Sequence, residues 1–268
     1  MSRLLVRSGV PSEDGCVIDI APEKAGWSHV GFRLHRLVHG QQIEGGDAAR
    51  ETCIVVLGGL AAIRAGGMDF GQVGGRSDPF EDRAPGAVYV PAGARFRIQA
   101  VGDAEIALCS APGRPRQEAR LIAAADMPRE VRGRGTNTRY VRNILPETAP
   151  ADGLLVVEVI TPGGHWSSYP PHKHDAAEPG VETALEETYY HRLKPSQGFA
   201  FQRVYTDDRS LDETMCVQDG DLVMVPRGYH PVGAAHGYDL YYLNVMAGPE
   251  RRWVFRNDPA HEWIIGQS

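Results

Sequence analysis

Apolar and polar residues alternate along this chain in short runs that end at Gly, Pro or Asp, and helical spacing is scarce. The runs TCIVVL and LAAIR, joined by Gly58-Gly59, read as two strands, and a two-residue Gly-Gly link between such runs predicts a hairpin. After a Gly-rich stretch, Gly66 to Gly75, come the runs AVYV and ARFRI, parted by the Pro91-Ala-Gly93 turn, and then a strand from Ala104 to Cys109. The segment between Pro112 and Pro128 reads as a linker or a crossing strand. The pattern resumes near Thr136, and LLVVEVI, ETYYHRL, GFAFQRVYT, DLVMV and DLYYLNVMA follow with turn residues between them. Many short strands punctuated in this way predict an all-β fold of sandwich or barrel type.

Composition supports this reading. The 268 residues include 31 Gly and 19 Pro, well above the roughly 12% these two types make up on average. With 42% hydrophobic and 23% charged residues, disorder is excluded and tight turns are favoured. The net charge of -6 and the scatter of Lys and Arg give no footprint for nucleic acid. No apolar run approaches a membrane span or a signal-peptide core, and the four widely spaced Cys read as reduced, mostly buried thiols. The expectation is a cytoplasmic protein with no membrane and no nucleic-acid partner; a homo-oligomer is compatible with the sequence.

A repeat organises the chain. Gly86-AVYV-Pro91-Ala-Gly93-Ala-Arg95 and Gly220-DLVMV-Pro226-Arg-Gly228-Tyr-His230 share a Gly, an apolar strand and a Pro-x-Gly turn, half a chain length apart. Duplication of one β unit predicts two tandem jelly-roll barrels, residues 1–112 and 113–268.

The chemistry concentrates in the second copy. His172 and His174 are two apart, so on an extended strand both imidazoles face one side and can converge on a divalent metal. A carboxylate from a neighbouring strand and His230 after its turn complete such a set. A lone His-x-His is by default a solvated strand end; its combination with the Pro-x-Gly-x-His turn points to metal. Arg95 stands where the second copy has His230, and His29, His35 and His39 have the wrong spacing, so the first barrel is expected to lack a metal and to support the second.

These motifs resemble the cupins. More narrowly, WSSYPPHKHD, LEETYYHRL, QGFAFQRVYT, PRGYHPV, YYLNVMAGP, GWSHVGFRLHRL and RYVRNILPE resemble the 5-deoxy-glucuronate isomerases of bacterial myo-inositol catabolism, over nearly the whole chain. The resemblance implies a bicupin fold and an aldose-ketose isomerisation of 5-deoxy-glucuronate to 5-dehydro-2-deoxy-gluconate. In common cupins the metal-binding Glu follows the second His closely; here the acidic strand begins about a dozen residues later, and DAAEPGVETAL reads as an inserted loop. Among Asp175, Glu178, Glu182, Glu186 and Glu187, the family's Glu-x-Tyr pattern selects Glu187 with Tyr189, and Glu186 then faces the opposite side.

Imidazoles with one carboxylate suit zinc, iron, manganese or nickel, and the resemblance favours zinc. Proton transfer is open between Glu187, Tyr189, Tyr205 and Tyr241. For the substrate carboxylate and its surroundings the candidates are Arg142, Arg203, Gln202, Tyr205 and Lys173, although Lys173 alternates with the ligands and is expected to face away. His165, His191, His236 and His261 are left as non-ligands, His191 being the nearest to an exception. Two rival classes share the scaffold: a cupin dioxygenase with a redox-active metal, and a non-catalytic sugar-binding bicupin.

Overall fold

The computed structural model describes residues 2–266 and is built almost wholly of strands. Its chain divides into two compact units, Ser8–Pro128 with Asn143–Val156, and Met1–Arg7 with Arg129–Arg142 and Val157–Ser268. These are not contiguous halves: Leu5–Val6 leaves the N-terminal region to pair antiparallel with Leu222–Val225. Among the described residues no helix is long and apolar enough to cross a membrane.

The first unit has a six-stranded sheet in the order Arg120–Ile122, Gly86–Val90, Arg50–Gly58, Ala104–Pro112, Gly31–Leu37, Cys16–Ile20. A four-stranded sheet runs Gln42–Gly45, Phe96–Ala100, Leu60–Ala65, Met68–Gly74. Between them lies an apolar core that includes Leu37, Ile54, Val56, Ile63, Ile98 and Ile106. Each such side chain gains roughly 1.5–3 kcal/mol from burial.

The Gly58-Gly59 link is not a hairpin. Arg50–Gly58 pairs with Ala104–Pro112 and Gly86–Val90, whereas Leu60–Ala65 pairs in the other sheet. Gly59, at φ +85°, carries the chain from one sheet to the other, and a Cβ there would lie 2.2 Å from the Asp103 carbonyl oxygen. The hairpin falls instead at Gly66-Gly67, where both residues have positive φ (57° and 81°) and Ala65 pairs with Met68. Positive φ at both central positions suits the right-handed strand twist. Within this unit the buried acid Glu51 is consumed structurally: it accepts the Tyr89 hydroxyl and the backbone N–H groups of Asp152, Gly153 and Leu154.

The second unit is built on a sheet whose strand order is Leu5–Val6, Leu222–Val225, Glu186–Lys194, Asp239–Ala247, Leu155–Thr161, Arg139–Leu145, Glu130–Arg132, to which it contributes the Leu155–Thr161 strand from Val157 and the Arg139–Leu145 strand up to Arg142. A four-stranded sheet of Trp166–Ser167, Val232–Ala234, Ala200–Tyr205 and Asp212–Val217, and a pair formed by His172–Lys173 and Arg256–Asn257, complete it. Of the four thiols, Cys53 and Cys109 are buried, Cys16 is half-buried and Cys216 is exposed, and none forms a disulfide. Cys216 thus departs from the expected burial because its strand, Asp212–Val217, lies at the edge of its sheet.

Candidate metal centre

His172 and Lys173 form a two-residue strand, with His172 opposite Asn257 and Lys173 opposite Arg256. Alternation puts His172 and His174 on one side and Lys173 on the other. There the Lys173 ammonium bonds Asp175 Oδ1 at 2.8 Å and lies 3.1 Å from Asp207 Oδ2. The second oxygen of Asp175 accepts the Gly228 N–H at 2.8 Å, which ties the histidine strand to the turn bearing His230. Gly228 sits at φ +90°, and a Cβ would meet the Tyr205 carbonyl oxygen at 2.4 Å. Glycine is thus required both for conformation and for the close approach.

Glu187 enters from the central strand Glu186–Lys194, opposite Val225 on one neighbour and Met246 on the other. Its Oε2 lies 3.1 Å from His174 Nε2 and 3.1 Å from His230 Nε2. The ligand atoms of His172, His174 and His230 all fall within 4.8 Å of one another. Among the described residues this is the one such group of three or more potential ligands. Glu182, by contrast, accepts the backbone N–H groups of Asp175 and Ala176 at 2.6 and 3.0 Å and so staples the inserted loop. Glu186, one residue out of phase with Glu187, is half-buried.

The donor atoms fit a divalent ion. His174 Nε2, His230 Nε2 and Glu187 Oε2 are all buried, and none makes a directed hydrogen bond among the described residues. Buried polar atoms left in this way are costly, and a cation bound at their meeting point would satisfy them together. The opposite ring nitrogens are already used: Nδ1 of His174 faces the Leu185 carbonyl at 3.3 Å and Nδ1 of His230 the Gly228 carbonyl at 2.9 Å. His172 bonds the Pro170 backbone. Such bonds orient metal-binding imidazoles. Glu187 Oε1 in turn accepts the Asn244 side-chain amide.

Charge at the cluster is set by burial against proximity. Burial pushes the His172 imidazole well below its usual pKa, reinforced by His230, His174 and Arg139. Burial also holds His230 down against the pull of Glu187. For His174, burial acts the same way, but the adjacent Glu187 carboxylate outweighs it and raises the pKa. Burial opposes ionisation of Glu187, yet His230 and His174 together bring its pKa below the ordinary value, so it is ionised near neutrality.

The cluster opens into a cavity of about 340 Å³, near the small end of the roughly 300–1,000 Å³ typical of ligand sites. His172, Glu187 and Asn244 contribute to its wall, with Tyr189, Tyr242 and Ser168. Tyr189 Oη and Ser168 Oγ are 2.9 Å apart. Ser168 holds a positive φ of 50°, uncommon for a side-chain-bearing residue. Arg132 and Arg139 also line the cavity, as do Trp253 and Phe255.

Several residues singled out from the sequence lie elsewhere. Tyr241 points away from the cavity and donates to Glu158 Oε2 at 3.1 Å, while its neighbour Tyr242 lines the wall. Arg142 is buried with Nη1 3.8 Å from Glu158 Oε1. Arg203 is clamped by Asp212 through bonds of 2.8 and 2.7 Å. Tyr205 donates to Asp258 at 2.7 Å. Gln202 is buried against His191, Oε1 to Nε2 at 2.9 Å, so His191 is held by an amide and stands outside the ligand cluster. Asn244, Tyr242, Ser168 and Arg139 were missed. Strand alternation links Tyr242 with Asn244 and Arg139 with Val141, but nothing local says which of the two phases faces inward.

An all-β chain with a repeated jelly-roll unit and a cluster of three histidines and a glutamate is a cupin of the two-barrel kind. The fold is shared with an oxalate decarboxylase from Lactobacillus farciminis, at TM-score 0.66 and 14% identity, covering 96% of this chain and 89% of that one. A far nearer structure is that of an IolB-like protein from Salmonella typhimurium, with TM-score 0.95, 49% identity, and coverage of 98% and 99%. The chain belongs to the KduI/IolB family, matched over residues 4–264. It is 52% identical over 265 residues to the 5-deoxy-glucuronate isomerase of Geobacillus thermodenitrificans, covering 99% of this chain and 97% of that protein. It is 48% identical over 250 residues to the isomerase of the same name from Bacillus subtilis, covering 93% and 92%.

Proposed function

We propose that this protein is a metal-dependent aldose-ketose isomerase that converts 5-deoxy-D-glucuronate to 5-dehydro-2-deoxy-D-gluconate in myo-inositol catabolism, in the cytoplasm. The observation that carries the reading is the convergence of His172, His174, His230 and Glu187 on one point beside a cavity that His172 and Glu187 line, in a chain matched over 99% of its length by a protein named for this reaction. These four residues would hold the ion. Zinc is favoured, and manganese, iron and nickel suit the same donors. When bound, a divalent ion supplies Lewis acidity, which polarises the carbonyl and lowers the barrier to removing the adjacent proton. The N-terminal barrel acts as a ligand-free support.

The chain's own groups do the rest. Glu187 is the ionised carboxylate in the cavity wall, and in this proposal it takes the proton from one carbon and returns it to the next. Burial and then the nearby Glu187 charge push the Tyr189 phenol well above its usual pKa. It therefore keeps its proton near neutrality and donates a hydrogen bond to the substrate oxygen whose charge changes. Ser168, paired with Tyr189 Oη, orients that hydroxyl. Asn244 holds Glu187 in place through Oε1. Trp253 and Phe255 cover apolar parts of the wall and exclude water.

The test is an anaerobic incubation of metal-analysed protein with 5-deoxy-D-glucuronate in deuterated water, followed by NMR. Appearance of the ketose is the expected result. A protein that fails to interconvert the two sugars, but consumes oxygen with a sugar or diketone, is a dioxygenase and the proposal is wrong.

A further inference from the structure

Arg139 is a cation without a carboxylate. It begins the strand Arg139–Leu145 and lines the cavity of the metal cluster. Its one hydrogen bond among the described residues runs from Nη1 to the Asn137 carbonyl oxygen at 3.1 Å, and no Asp or Glu among them lies within ion-pair distance. A guanidinium carries five donors and stays charged, so most of its hydrogen-bonding capacity is unspent. Burial and the like charge of Arg132 oppose its cation, and Tyr242 and Tyr189 beside it offset this in part. Arg132 is different, since its Nε and Nη2 are held by Glu130 at 3.2 and 2.9 Å. Of the two arginines raised by the sequence, Arg142 lies beside Glu158 and Arg203 is clamped by Asp212, and neither is among the residues that line this cavity.

We infer that Arg139 is the positioning residue that binds the carboxylate of the substrate, holding the acid end so that the aldehyde end faces His172 and Glu187. A half-buried guanidinium with free donors suits a planar anion, which it can pair with through two parallel bonds. The identity of the acid rests on the isomerase reading above; the anion site itself rests on the unpaired arginine in the cavity.

The experiment compares wild-type protein with Arg139→Leu and Arg139→Lys in two measurements. The first is steady-state kinetics with 5-deoxy-D-glucuronate and with its analogue in which C6 is reduced to an alcohol. Arg139→Leu is expected to raise KM for the acid roughly 10- to 100-fold, the loss of charge-assisted hydrogen bonds, with kcat and the parameters for the alcohol nearly unchanged. Arg139→Lys should recover part of the loss. The second is calorimetric binding of D-glucuronate, which needs no turnover and should weaken in parallel, at unchanged metal content and melting temperature. An unchanged KM for the acid, equal losses for acid and alcohol, or a wild-type protein that does not bind D-glucuronate overturns the inference. If Arg139→Leu does not fold, Arg139→Lys decides alone, and an undiminished affinity for the acid then refutes the assignment. If wild-type protein binds D-glucuronate through Arg139 yet isomerises nothing, the isomerase reading falls and the anion site stands.

Discussion

Replacing His191 with Gln should flatten the acid limb of the stability profile. His191 is fully buried on the strand Glu186–Lys194, and its Nε2 donates to Gln202 Oε1 at 2.9 Å while Nδ1 has no hydrogen-bond partner. Burial lowers its pKa from the ordinary 6.5 to about 4, partly offset by Gln202. The folded protein thus binds the proton less readily than the unfolded chain, so stability is fully present above about pH 6.5 and is lost as the pH falls toward 4. At about 1.4 kcal/mol per pKa unit, the complete shift is worth about 3.5 kcal/mol, and about 2 kcal/mol of it is gone by pH 5. Urea unfolding of both proteins, in chelator so that metal release does not contribute, measures this from pH 7.5 down to 4.5. His191→Gln keeps an amide N–H able to donate to Gln202, so any offset from altered packing is nearly independent of pH. The wild-type stability should therefore fall by about 2.5 kcal/mol more than that of the variant between the two ends. Parallel profiles would refute the burial of a neutral imidazole.

Glu187→Gln should leave the fold intact while reducing turnover at least about 100-fold and weakening metal retention; elemental analysis beside the anaerobic assay checks both, and normal turnover would remove Glu187 from the site. Dialysis against a chelator should strip one divalent ion per chain and abolish isomerisation, with recovery on adding metal back. Two ions per chain would contradict a ligand-free first barrel. Gly228→Ala should lower stability by about 1–3 kcal/mol, because it puts a Cβ at φ +90° against the Tyr205 carbonyl. A melting temperature equal to wild type would show that the turn carrying His230 tolerates a side chain.

How much of this was legible in the sequence follows from what periodicity encodes. The spacing in His172-Lys173-His174 forces two imidazoles to one side of an extended strand, and the Pro-x-Gly turn before His230 recurs before Arg95, so a histidine cluster and a duplicated β unit could be read directly. The family resemblance, carried by long runs such as WSSYPPHKHD, was legible for the same reason: its residues are contiguous. Periodicity gives the relative phase of side chains within a strand and leaves the absolute phase open. In DLYYLNVMA every residue after the first is buried, so no polar face marks the outside, and only the packing of the strand shows that Tyr242 and Asn244 line the cavity while Tyr241 does not. The same ambiguity separates Arg139 from Arg142, which lie three residues apart on one strand and so on opposite faces. Gly58-Gly59 and Gly66-Gly67 look alike as dipeptides; the first crosses between sheets and the second closes a hairpin, because the partners of each strand are chosen by distant segments. Local sequence thus determined which residues move together, and tertiary structure decided which way they face, since facing is a property of the neighbours a strand acquires.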